Sequence, residues 1–149
     1  MEADEIFMPD PWRTYNYEVM MFLGTAPPIQ LPNPCPIDPQ IYFNAFVESR
    51  LLHTRILCDI LLSRGSQPDN ITLDRLLPDF GSPLVDQLRK DYGDHKTSGT
   101  PCWELNKHLA HPTTLRADSH DYAPMLKCLE ATIIRLFDEI AAEKKNRGI

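Results

Sequence analysis

Long apolar runs are missing from this chain. No uncharged stretch approaches the roughly 20 residues that a bilayer span needs, so no membrane helix is expected. The four cysteines, Cys35, Cys58, Cys102 and Cys128, lie in four separate segments, and no pair has Cys-x-x-Cys spacing. They read as reduced, buried thiols rather than a disulfide or zinc framework. There is no alternation of apolar and polar residues, no Asn-Gly hairpin turn and no internal repeat, which argues against a sheet. Phosphate-cradling glycine loops, Ser-His-Asp elbows, kinase signatures, His-Glu-x-x-His and paired Glu-x-x-His motifs are also absent. Basic residues are outnumbered, and the formal net charge of −6 excludes broad, nonspecific nucleic-acid binding while leaving room for a local basic site. The acidic start, Met1-Glu2-Ala3-Asp4-Glu5, is unlike a signal peptide, so a cytoplasmic location is the expectation.

What is present is helical patterning punctuated by proline. A chain of 149 residues with 42% hydrophobic and 24% charged content suits one domain with a substantial core. Asp10-Pro11, Asp38-Pro39, Ser82-Pro83 and Thr100-Pro101 each combine a capping side chain with proline at the first helical position. The first predicts a helix to about Leu23. Six prolines between Thr25 and Pro39 then predict an extended strap. From Asp38-Pro39 a long helix is expected to run to about Arg64 and stop at Gly65. Ile41, Tyr42, Ala45, Phe46, Ser49, Leu52, Ile56 and Ile60 repeat along it at helical spacing, as a central, buried helix requires. Arg55 and Asp59 are expected as an exposed i,i+4 pair, and His53 as a core histidine with its hydrogen bonds met. Thr72–Leu77 predicts one or two turns, and Pro83 to Tyr92 a further helix. A last helix, capped by Asp118 or Ser119, carries Tyr122, Met125, Leu126, Leu129, Ile133, Leu136, Phe137 and Ile140. The segment from Glu143 to Arg147 reads as a fraying end. The fold expected is all-α, a four- to five-helix up-and-down bundle in a single domain, 1–149.

One stretch concentrates chemistry: Trp103-Glu104-Leu105-Asn106-Lys107-His108-Leu109-Ala110-His111-Pro112-Thr113-Thr114-Leu115-Arg116. Between Arg89 and Arg116 there are five Lys or Arg against three Asp or Glu, and three of the five His. In an acidic chain this is the region suited to a phosphate. On an α-helix from Cys102 to His111, Glu104, His108 and His111 share one side, and Lys107 neighbours His111. A histidine at a helix C-terminus is favoured in its protonated form, with Lys107 opposing, so His111 suits proton transfer. Glu104, His108, His111, His120 and Cys102 or Cys128 could also converge on a metal. The ligand patterns of zinc and di-iron sites are not met, and neither metal nor cofactor is expected.

A polar residue, a short spacer and a histidine ahead of the final helix of a small bundle resembles the motif of the HEPN superfamily (higher eukaryotes and prokaryotes nucleotide-binding). The segment is also similar to a Leu-Asn-Lys-His-Leu-Ala-His stretch in bacterial proteins without an assigned activity. The resemblance covers residues 38 to 142 in architecture and a handful of residues in motif. It implies a dimerising four-helix bundle of bacterial defence or toxin–antitoxin type, and a metal-independent endoribonuclease. His111 would then be base or acid as the RNA 2′-OH attacks the phosphate. Asn106 and Lys107 would complete the catalytic set, with His108 and Arg116 binding RNA or a nucleotide. The family's motif arginine is absent, since Asn106 or Lys107 stands in its place and lysine lacks the bidentate fork.

The structural alternative assigns the same residues bland roles. His111 caps a helix, Lys107 complements the helix dipole, Asn106 makes a polar contact, and Arg116 pairs with Asp118 or Asp121. The chain is then a non-catalytic interaction or regulatory module, a homodimer with no membrane association.

Overall fold

The computed structural model describes residues 10–110 and 122–149, apart from the side chains of His108 and Ala110. Among these residues all regular secondary structure is helical, with no strand. Six α-helices follow one another: α1 (Pro11–Gly24), α2 (Pro39–Leu61), α3 (Leu73–Leu76), α4 (Pro83–Tyr92), α5 (Pro101–Leu105) and α6 (Ala123–Arg147). The count exceeds four or five because the middle of the chain breaks into three short helices.

Each of the four proline-marked starts forms as its sequence dictates. Asp10, Asp38, Ser82 and Thr100 accept backbone N–H groups from Trp12, Gln40, Leu84 and Trp103 at 3.0, 2.8, 3.1 and 3.2 Å. Each bond satisfies a donor that the helix start would leave unpaired. The start of α6 differs: Tyr122 is its N-cap with no side-chain cap bond, and Asp118 and Ser119 lie outside the described residues.

Two predicted ends are corrected. α2 stops at Leu61, short of Arg64, and Gly65 is not its terminator. Ser63 takes a left-handed conformation (φ 52°), its N–H bonds the Ile60 carbonyl, and the Arg64 N–H reaches back to Asp59 at 2.8 Å. That pair of bonds is a Schellman stop with serine where glycine is usual. The charged end of α6 is also no frayed tail. It is helical through Arg147, whose guanidinium bonds Glu143 at 2.6 Å and the Pro78 carbonyl at 2.7 Å.

The core gathers Phe22, Leu57, Leu61, Leu88, Leu105 and Ile133, all fully buried, with α1 packed on α2 and α4 on α6. Tyr15 and Phe22 of α1 meet Phe137 of α6 edge-on at 6.4 and 5.8 Å. Gly93 ends α4 at φ 71°, and a Cβ there would come within 2.7 Å of Thr100, so the turn into α5 demands glycine.

α2 departs furthest from its expected pattern. Ile41, Ala45 and Leu52, placed in the core by their spacing, are exposed. The buried residues are Arg50, Leu51, His53, Thr54, Leu57, Cys58, Ile60 and Leu61. One face of the first turns of α2 overhangs the bundle, so the apolar residues on it have no partner within the described residues to seat them, while Val47 on another face packs against the core.

Candidate functional site

The His-rich stretch begins as predicted and then changes geometry. α5 gives way at Asn106 to a π-helical turn, Asn106–Ala110. A π turn bonds i to i+5, so the i,i+4 register of an α-helix does not continue through Asn106–Ala110. Leu105 is fully buried and seats the segment on the bundle. Asn106 and Lys107 are half-buried, and the Lys107 ammonium lies 5.9 Å from the centre of the Trp103 ring. Asn106 has an interaction partner of its own. The structure thus places Lys107 over Trp103, with Asn106 its neighbour in the chain. His111 and Arg116, with Asp118, His120 and Asp121, lie outside the described residues, as does the side chain of His108. Among the described residues no three His, Cys, Asp or Glu side chains gather as a metal site would require.

Three polar arrangements sit inside the bundle: His53 is the core histidine that the sequence led us to expect, whereas the roles of Arg50 and Arg64 escaped the pattern reading. On α2, Arg50 is 5% exposed. Its Nε–H and Nη2–H both donate to Oε1 of Glu130 on α6, at 3.1 and 2.5 Å. Its Nη1–H donates to the Phe22 carbonyl, and its guanidinium carbon sits 4.3 Å from the centre of the Phe22 ring. One turn on, His53 Nδ1 pairs with Glu18 of α1 at 2.5 Å, both side chains being buried, with Tyr17 edge-on to the imidazole. Beyond the end of α2, Arg64 donates to the Gly93 carbonyl at 2.6 Å and to Cys102 Sγ at 3.3 Å, over the Tyr92 ring. No periodicity of apolar residues signals such groups. A charged residue at the inward spacing of a long helix, here Arg50, is the sign that could have flagged the first of them.

Thiols and carboxylates follow their surroundings. All four cysteines are free: Cys58 and Cys102 are buried, Cys35 is half-buried, and Cys128 is exposed rather than buried as its helical pattern suggested. Burial pushes the Cys58 thiol far up, with Asp59 adding to the rise. Asp59 itself is raised by burial, against the pull of the Arg55 and Arg64 charges, and Arg55 and Asp59 are both half-buried rather than exposed.

Two cavities open beside these groups. One, of about 430 Å³, lies between the end of α2 and the turn that follows, lined by Thr14, Asp59, Arg64, Asp69, Asn70 and Ile71 among others. The larger, of about 730 Å³, is enclosed by the proline strap, α2 and the start of α6. Its walls are mostly apolar, and Arg50, Glu130 and Lys127 are its charged members.

No helix among the described residues is long and apolar enough to cross a membrane. Compared with known protein families, curated proteins and solved structures, the chain matches none.

Proposed function

We propose that this chain is a helical interaction module that works as a homodimer, with the outer face of α2 as its contact. The observation that carries the reading is the overhang. Ile41 and Leu52 are 61% and 44% exposed, with small Ala45 between them on the same side of the helix. Ile37, just ahead of the helix, is also exposed. A soluble monomer seldom leaves such an apolar line uncovered. A two-fold contact lets one helix face cover its own copy, and Ala45 permits close approach. Each side chain fully covered would contribute roughly 1.5–3 kcal/mol. The test is light scattering across a concentration series with Ile41→Glu beside the wild type. A wild-type dimer that becomes monomeric in the variant, with helicity unchanged, is the expected result. A wild type monomeric throughout overturns it.

A second reading keeps the HEPN-like ribonuclease, with His111 as base or acid and Lys107 or Arg116 stabilising the phosphorane. The π-helical turn at Asn106–Ala110 favours it, since such turns recur at functional sites. The local excess of basic residues over acidic ones between Arg89 and Arg116 supports it as well. EDTA-resistant cleavage of mixed RNA that vanishes in His111→Ala is its expected outcome. Intact RNA with the wild type would sink it.

A further inference from the structure

We infer that the larger cavity is a binding site for an amphiphile carrying a single carboxylate. Its volume of about 730 Å³ falls within the range of roughly 300–1,000 Å³ usual for small-molecule sites. Pro27, Pro28, Ile29, Phe43, Val47 and Leu126 supply an apolar wall. Phe43, Val47 and Arg50 share one side of α2, opposite the Ile41–Ala45–Leu52 line, so this site is independent of the dimer contact.

The charged groups set the ligand's polarity. Arg50 and Glu130 cancel, and exposed Lys127, which makes no ion pair among the described residues, leaves the lining with one net positive charge. A guanidinium has five N–H donors. Glu130 takes two and the Phe22 carbonyl one, which leaves two without a protein acceptor among the described residues, on a group 5% exposed. A buried donor without an acceptor is costly, and a carboxylate oxygen is the acceptor that a cationic donor bonds most strongly. Apolar walls with one surplus positive charge and spare guanidinium donors therefore fit a hydrocarbon body ending in a monoanion. They disfavour an amine, which the surplus charge of Lys127 would repel, and a dianion, which would leave charge unbalanced.

The experiment is calorimetric titration of the full chain with decanoate, decanol and decylamine, each below its micelle threshold. Decanoate is expected to bind at one site per chain, more tightly than decanol, with decylamine not binding. Val47→Trp, which fills the cavity, should abolish decanoate binding. Lys127→Glu, an exposed change that leaves the fold intact, should weaken decanoate by about 3- to 10-fold and leave decanol unmoved. Four results overturn the inference: no decanoate binding up to its solubility, equal affinity for decanol, retained binding in Val47→Trp, or an unchanged affinity in Lys127→Glu. Ile41→Glu serves as the control for oligomeric state and should not alter decanoate affinity.

Discussion

The two halves of α2 invert the usual relation between residue type and burial. The leading half, rich in Ile, Tyr, Phe and Val, has no fully buried side chain: Tyr42, Phe46 and Val47 are half-buried, and Ile41 and Phe43 are 61% and 45% exposed. The trailing half, which carries Arg50, His53 and Thr54, is seated in the bundle with all three buried. The polar side chains are inside because Arg50 and His53 each have a partner on a neighbouring helix, Glu130 on α6 and Glu18 on α1. Ile41, Ala45 and Leu52 are outside because no neighbour among the described residues covers that side of the helix. Burial along one continuous helix is thus decided by what lies opposite and not by hydrophobicity alone.

The seated half should be the more sensitive by a wide margin. Arg50→Ala removes the Phe22 contact and leaves Glu130 facing an apolar wall, so a loss of about 3–5 kcal/mol is expected in urea unfolding. Joint replacement of Arg50 and Glu130 by Met should recover much of that loss. A pair of leucines sharpens the contrast within a few turns. Leu57→Ala, at a fully buried position, should cost about 2–5 kcal/mol. Leu52→Ala, at an exposed one, should stay within about 0.5 kcal/mol when the chain is monomeric. Equal losses for the two would contradict the division of the helix.

The start of the overhang depends on its cap more than on packing. Asp38→Ala should therefore open the first turns of α2 locally by about 0.5–2 kcal/mol. Amide exchange would show faster exchange there and unchanged protection from Leu51 onward.

The smallest effect concerns Asp59. Burial holds its folded-state pKa above the unfolded value, so the protonated form is the one the fold favours. Its contribution to stability is fully present below about pH 4 and is lost as pH rises through the raised value. Asp59→Asn cannot ionise, so its melting temperature should gain on the wild type's across that window. A constant difference between the two would rule out the titration.

Proline and its preceding cap residue were the most legible features of the sequence. Asp10, Asp38, Ser82 and Thr100 act locally, through bonds to residues two or three positions on, so no knowledge of the tertiary fold was needed. The stripe on α2 was misjudged because periodicity reports that a helix has an apolar side, not which neighbour covers it. The end of α2 was missed for a similar reason: Ser63 adopts a conformation that composition assigns to Gly65. At the His-rich stretch the residue types were readable and their geometry was not, because a π turn shares its composition with an ordinary helix.

The stop at Ser63 has a consequence for how the chain tolerates changes of length. Arg64 reaches the Gly93 carbonyl, the Cys102 sulfur and the Tyr92 ring only because one left-handed residue turns the backbone immediately before it. A single inserted or deleted residue between Leu61 and Arg64 would swing the guanidinium out of that pocket and release α4 and α5 together. Among the described residues the proline strap forms no comparable bond to a distant element, so its stretch from Gln30 to Cys35 should accept insertions. Two connections flanking the same helix thus impose opposite rules: one can lengthen freely, and the other is fixed to the residue.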